Sequence, residues 1–425
     1  MANAFLNAQE YANVMLLLLK NQLVTGKLVD TRFTNQVTDE NGLKISIKRP
    51  PQFIDKKSGT SAALALQDII VGKVDVEVNQ YSKVHIGIGD IEYVQSYNEL
   101  MRNETMKSAA STLAHSVDAF LQDKLLGFNS WVGTPGQDIH SSLEFNPVHT
   151  RLMANGVPNS DLNATVDFVD GEKIRGAMLG MFLPGDMNRS ALEKVRIPII
   201  SEIDLYATQQ GPVLTTGTRA ASGASVINGA AQNVNYRAVK DTLAQTLNID
   251  GLTAAHTVKA GEVFTIANVY AYDPRRGQTL PFLQQFTVNA DAVANGSGEI
   301  ALSISPAIIV TGTNDGTSTD ANTAFATVNA APADGAAIVW MGAASTPFKI
   351  RAAWHKRAIA LVSAKLQSPF TGVYSFANDP VTGISIRYWR GSDISTGQHV
   401  HRWDMIYGAS NTDPRLGARI NGVAP

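Results

Sequence analysis

Residues 42–49, Gly42-Leu43-Lys44-Ile45-Ser46-Ile47-Lys48-Arg49, alternate apolar and polar side chains with period two and stop at Pro50-Pro51. Proline cannot donate to a strand ladder, so the strand ends there. The pattern returns at Ile70-Val71-Gly72-Lys73-Val74-Asp75-Val76-Glu77-Val78 and again at Val84-His85-Ile86-Gly87-Ile88-Gly89. Between the first two runs lies Asp55-Lys56-Lys57-Ser58-Gly59-Thr60-Ser61, a polar, flexible tip. Two long strands joined through such a tip make an extended hairpin. A ribbon of this kind buries little within its own chain, so it is expected to pack on something else.

Working outward, Ser96-Tyr97-Asn98-Glu99 has the form of a capping box, with the hydroxyl at the N-cap and the carboxylate three residues on. It opens a helical run ending at Gly127, with Leu113, Val117, Phe120, Leu121 and Leu125 at spacings of three and four. Unbroken, that run would extend about 45 Å at 1.5 Å per residue. Before the hairpin, residues 5–25 read as a helix with a broad apolar face, serving either as a core helix or as an arm laid on a neighbour. Beyond Gly127, shorter helices are expected around 171–180 and 190–195. Composition then shifts. From 211 to 345 there are six basic and nine acidic residues, about half the charge density of the rest of the chain. Short β runs such as 263–271 alternate there with the turn signals Ala260-Gly261, Asn295-Gly296, Asn314-Asp315-Gly316 and Asp334-Gly335. This stretch is expected to be a separate all-β module, a small barrel or sandwich, set into a domain whose two halves flank it.

At 425 residues, two or three sub-structures are expected. Lys and Arg total 35 against 37 Asp and Glu, a net charge of −2, which removes the footprint of a dedicated nucleic-acid or anionic-membrane binder. Cysteine is absent, excluding disulfide frameworks and thiolate chemistry; a reducing cytoplasm is the expected compartment. The longest early apolar run, 14–19, is far short of a membrane span. No basic residue precedes it, and no secretory leader is expected.

Motifs that carry chemistry are sparse. His399-Val400-His401 with Asp404 is the best metal candidate, since i and i+2 share a strand face, but a third firm ligand is not evident and surface or interface histidines are the preferred reading. His355 reads as packing or a backbone hydrogen bond. Gly87-Ile88-Gly89 lacks the third glycine of a dinucleotide fingerprint. The pairs Asp118/Asp123 and Glu99/Glu104 read as a solvated helix face rather than acid–base machinery. Arg275-Arg276 and Lys48-Arg49 are too small to define a nucleic-acid surface. No cofactor is expected, and the protein reads as structural rather than as an enzyme.

The order of elements, together with several segments, resembles the major capsid proteins of tailed bacteriophages with the Hong-Kong-type fold. The likeness is nearest to the coat proteins of short-tailed Salmonella phages, which carry an inserted β domain. Residues 42–50 resemble that family's Gly-x-x-[Val/Ile]-x-[Val/Ile]-[Lys/Arg]-x-Pro entry to the E-loop, and residues 84–92 the strand leaving it. Residues 21–29 resemble its amino-terminal segment. Lys259-Ala260-Gly261-Glu262-Val263-Phe264-Thr265-Ile266-Ala267-Asn268-Val269 is similar to the Lys-x-Gly-[Asp/Glu]-x-[Phe/Ile]-x-[Ile/Phe]-Ala-x-Val segment of the inserted domain, the most specific of these matches. Residues 354–361 look like the aromatic-His-[Lys/Arg]-Asp-Ala segment after the insertion, with Arg357 in place of the acid.

The resemblance implies an α+β capsid fold divided into an N-terminal arm (1–40), an E-loop hairpin (41–90), a spine helix with the P domain (91–140) and an A domain (141–210). An inserted β domain (211–345) and a return of the A and P domains (346–425) complete it. It implies a protein whose main partner is itself, in hexamers and pentamers of an icosahedral head, assembled in the bacterial cytoplasm and ending in the virion. Scaffolding protein, a portal and enclosed double-stranded DNA bound without sequence specificity are the other implied partners; no membrane is involved. Lys48, Arg49, Lys56 and Lys57 are the candidate inter-subunit contacts. Some capsids of this fold cross-link an E-loop lysine to asparagine, but a solvated or salt-bridging tip is expected here. The competing readings are another β-rich phage or secreted adhesion protein using the 211–345 module and, last, a metalloenzyme around His399, His401 and Asp404.

Overall fold

The computed structural model describes residues 8–34, 43–55, 66–89, 104–179, 200–219, 224–314, 318–379, 382–393 and 397–423. The chain forms two compact units. The first comprises Met1–Ile47, Asp75–Lys124 and Ile359–Asn411; the second comprises Lys48–Val74, Leu125–Ala358 and Thr412–Pro425.

In the first unit, helix α1 (Ala8–Gln22) buries Tyr11, Ala12, Met15 and Leu19, the three-to-four spacing that gives one apolar stripe. Strands β1 (Lys44–Lys48) and β2 (Lys73–Glu77) pair, and each buries alternate residues as the period-two pattern requires. Ile45, Ile47, Val76 and Val78 cluster with Ala360, Val362 and Ala364 of the strand Ile359–Ala364. Strand β3 (Gln80–Gly89) pairs antiparallel with the 14-residue strand Gln398–Asn411. The other edge of that long strand carries Ser385–Asp393 and then Ile359–Ala364; Val373–Asn378 pairs with Ser385–Asp393. Helix α2 (Glu104–Asp123) buries Met106, Ala109, Ala110, Leu113, Ala114, Val117 and Leu121, and Phe120 meets Tyr407 edge-on at 5.5 Å. Its 20 described residues span about 30 Å, and a short 3-10 turn, Lys124–Gly127, follows. The capping box at 96–99 and the helix expected at 190–195 lie outside the described residues.

In the second unit, a five-stranded sheet runs in the order Ser130–Val132, Gly417–Ile420, Arg351–His355, Leu162–Val166, Ile203–Ala207, parallel at both ends and antiparallel in the middle. Helices Phe145–Ala154 and Phe168–Leu179 supply Phe145, Val148, Leu152 and Ile174 to its core. The second sheet of this unit lies within 226–340, a stretch that also carries the short helices Tyr236–Val239 and Asp320–Ala324. Its six antiparallel strands are ordered Ile338–Trp340, Val263–Asp273, Gln278–Val288, Ile300–Ser305, Gln245–Asp250, Val226–Ile227. Val226 bridges to Ala337, and the Ile338 N–H donates to the Ser225 carbonyl at 2.9 Å, so the sheet nearly closes into a barrel. Phe264, Phe286, Trp340, Leu247 and Ile304 fill its interior. Near the break in the Val263–Asp273 register, Asn268 takes a φ of 62°, the left-handed backbone that a bulge asks for and asparagine tolerates. Strands Val213–Thr215 and Pro347–Lys349 pair where the chain enters and leaves this stretch.

Candidate interaction site

The hairpin is fixed at its base by named polar groups within the second unit. The Arg49 N–H donates to the Gly72 carbonyl at 2.8 Å. Its guanidinium donates to the carbonyls of Thr412 (2.9 Å), Lys240 (2.8 Å) and Asp241 (3.0 Å), and burial lowers its pKa. The Lys73 N–H donates to the Asp241 carboxylate at 2.9 Å, and Arg237 pairs with Asp68 at 2.7 Å. Gly72 leaves no room for a side chain, because a Cβ there would stand 2.2 Å from the Lys240 carbonyl oxygen. Ile54 and Ile70 pack against Tyr236, Val239, Leu243 and Phe325. The expectation that this ribbon finds its packing elsewhere is corrected for its base, since contacts remote in sequence bury it within its own chain. Further out, the Gln67 amide bonds both the N–H (3.1 Å) and the carbonyl (2.7 Å) of Ile54 across the two arms. Phe53, Leu66 and Ile69 stay exposed, Leu66 at 86%. Lys48 is exposed, whereas Arg49 is half-buried and spends its donors on its own subunit. Lys56 and Lys57 lie outside the described residues.

The histidine pair falls on the strand Gln398–Asn411, where i and i+2 share a face, but its acid does not join it. His401 is fully buried with Nδ1 2.7 Å from the Tyr388 hydroxyl, under Tyr11 of α1, which stacks on Tyr388 at 5.5 Å. Burial lowers the His401 pKa to about 4, helped by the charges of Arg390 and His399. His399 Nδ1 meets the Ser392 hydroxyl at 2.8 Å. Asp404, three residues on, projects from the opposite face and pairs with Arg387 and Arg402, each at 2.5 Å. The three do not converge as ligands.

Asp118 corrects the solvated-face reading. It is buried and accepts the Val24 N–H at 2.8 Å and the Gly26 N–H at 3.0 Å, while Gln122 donates to the Thr25 hydroxyl at 2.7 Å. The turn after α1 is thereby latched to α2. Burial raises the Asp118 pKa even against those donors. Asp123 and Glu104 are exposed as expected, and Glu99 lies outside the described residues. His355 accepts the Arg357 N–H at Nδ1, 3.1 Å, the expected backbone role. Arg275 and Arg276 line an open cleft of about 350 Å³ together with Asp273, Gln284 and Arg415.

Sequence reasoning missed the buried polar seam between the barrel and the five-stranded sheet. The Gln285 amide oxygen accepts from the Trp131 N–H (2.7 Å) and from Arg151 (3.0 Å), and its NH₂ donates back to the Trp131 carbonyl at 2.9 Å. Arg419 is fully buried beside the Trp131 ring and donates to the carbonyls of Gly261, at 2.6 Å, and Leu126. Burial pulls its pKa down to about 9. Arg351–Asp170 and Arg219–Glu262 are buried ion pairs in the same unit. Each is a contact across many residues of chain, so no local spacing signals it.

The described arms of the hairpin expose Phe53, Leu66 and Ile69, while the seam is closed within the chain. The profile of the P22 coat protein family (P22 coat protein, gene protein 5) matches residues 1–422. The chain belongs to that family. It is a tailed-phage major capsid protein: it self-assembles into the shell of the phage head, and its place is the virion capsid. The family is a structural one and not an enzyme class. No curated protein sequence matches the coat protein. Solved structures similar to it include the capsid of Ralstonia phage GP4, at 7% identity and TM-score 0.47, covering 100% of this chain and 94% of that one. Mycobacterium phage Che8 follows at 11% and 0.44, covering 94% and 91%. The CUS-3 coat protein I-domain is 25% identical over 28% of this chain and 97% of that one, with a TM-score of 0.21.

Proposed function

We propose that this coat protein builds an icosahedral head of hexamers and pentamers in which the β1–β2 hairpin is the E-loop and reaches a neighbouring subunit. The supporting observation is the hairpin's own chemistry: its base is tied down, while Phe53, Leu66 and Ile69 stand in water beyond it. Three large apolar side chains exposed together on one ribbon mark a contact to be made. In this reading α1 belongs to the N-terminal arm, α2 is the spine helix, the first unit's sheet is the P domain and the five-stranded sheet is the A domain. The barrel is the inserted domain of 211–345. Lys48, Lys56 and Lys57 are proposed as polar inter-subunit contacts that are not covalently cross-linked, so denaturing gels of shells give monomer rather than a ladder. Arg49 serves its own subunit. Assembly takes place in the host cytoplasm with a scaffolding protein and a portal. The net charge of −2 limits mutual repulsion among many copies and suits a wall that encloses double-stranded DNA without reading it.

Sedimentation and negative-stain electron microscopy of the protein, expressed alone and with its neighbouring genes, test the reading. Closed shells, tubes or spirals are expected. A monomer or small oligomer under both conditions overturns it.

A further inference from the structure

We propose that the sheet face formed by β3, Gln398–Asn411, Ser385–Asp393 and Val373–Asn378, on the side away from His401, is an inter-subunit contact. Its occupant is a second copy of this chain, and Phe370 is its leading side chain.

The face is a built ladder of rings and cations. Lys83 lies 5.9 Å from the Tyr81 ring, Arg402 5.7 Å from both the Tyr81 and Trp389 rings, and Arg387 5.7 Å from Trp389. The register sets Trp389 opposite both Arg402 and Tyr374, so the rings and guanidiniums share one side of the sheet. Beneath them Asp404, fully buried, holds Arg387 and Arg402 in place. Two of these groups also clamp the adjoining turn: Arg387 donates to the Gln367 carbonyl at 2.8 Å, and the Trp389 indole to the Thr371 carbonyl at 2.8 Å. Gly372 completes the turn with a φ of 88°, against the Arg390 carbonyl and the Trp389 ring. The clamped turn displays Phe370 at 106% exposure, near Tyr374 at 42%.

A flexible exposed phenylalanine is common. One carried on a turn whose backbone is held at Gln367 and Thr371 beside an arginine–tryptophan stack has already given up part of the freedom that binding would otherwise remove. Trp, Tyr and Arg are the residues that dominate hot spots. Charge decides the occupant. Among the described side chains, Arg387, Arg402, Lys83 and Lys365, whose ammonium lies 4.7 Å from the Phe376 ring, against Asp404 give this face +3, so the remainder of a chain whose net charge is −2 carries −5. A second copy therefore offers the complementary sign, and the coat protein's function is to bind copies of itself.

The test is made in the full-length chain, co-expressed with its neighbouring genes, with wild-type shells as the control for self-assembly itself. Phe370→Asp and Phe370→Ala leave both clamp hydrogen bonds and Asp404 in place. They are expected to lower the shell fraction on a sucrose gradient at least tenfold while the unassembled subunit melts within about 2 °C of wild type. Wild-type shell yield in both variants overturns the proposal. Independently, a photo-reactive benzoyl-phenylalanine at position 370 is expected to give a covalent coat–coat dimer in shells. A cross-link to another protein, or none in particles that do form, overturns it.

Discussion

Between pH about 4 and 6.5, His401 is neutral in the folded chain and protonated in the unfolded one. Its folded pKa of about 4 lies below the ordinary 6.5, so between those values the unfolded chain binds a proton that the folded chain does not. Stability therefore falls as pH drops from about 6.5 toward 4, by up to about 3 kcal/mol from this group. Chemical denaturation at pH 7 and 4.5 is expected to show a smaller loss in His401→Gln than in wild type, the difference isolating the histidine from titrating carboxylates. Equal losses would refute it. Arg419 poses the other residue-scale question, a buried guanidinium served by carbonyls and a ring. Arg419→Met keeps most of the volume and relieves the charge, whereas Arg419→Ala opens a cavity beside Trp131. We expect Ala to cost about 3 kcal/mol more than Met, read from thermal melts of the unassembled subunit. The sequence betrayed neither role. His401 was visible as one of a pair on a strand, but Asp404 sits at an odd offset from both histidines and so faces away. Nothing near Arg419 in the chain shows that Gly261 will supply its acceptor.

At the scale of elements, Gly72 is pressed against the backbone of residue 240. Gly72→Ala would press a Cβ into a backbone carbonyl that has no side-chain freedom with which to yield. An overpacking loss of about 1–3 kcal/mol is expected, measured as a lowered melting temperature with unchanged far-ultraviolet circular dichroism. The strands of the hairpin were legible because their period-two burial is written locally: Ile45 and Ile47, then Val74 and Val76, all point inward. α2 was legible for the same reason, from Leu113, Val117 and Leu121. The seat of the hairpin was not, because Ile54 and Ile70 meet residues that follow them by more than 150 positions. The barrel lay between these cases: its turns and β runs announced β structure, but its near-closure rests on residues 225–227 returning to 335–338, over a hundred positions on. The latch of Asp118 onto the turn at 24–26 is likewise invisible to periodicity, which reads a carboxylate on a helix as a solvated group.

For the whole molecule, the seam makes the barrel part of the fold rather than an ornament upon it. Deleting 215–345 would strip Gln285 from the Trp131 backbone and the Gly261 carbonyl from Arg419, leaving both without the partners that satisfy them in the folded chain. The truncated chain is expected to collect in the insoluble fraction, whereas soluble protein that still forms shells would contradict this.

The ladder on the outer sheet face also gives the protein an optical consequence. Of its five tryptophans, Trp131, Trp340, Trp354 and Trp403 are buried already, while Trp389 is only partly covered. Water around an excited indole shifts its emission to the red, so Trp389 should dominate the red edge of the subunit's fluorescence. As copies close over that face the edge should move to the blue, without any dye attached. The natural emission would then follow head formation in real time, and a spectrum unchanged between free subunit and finished shell would mean that this face remains wet.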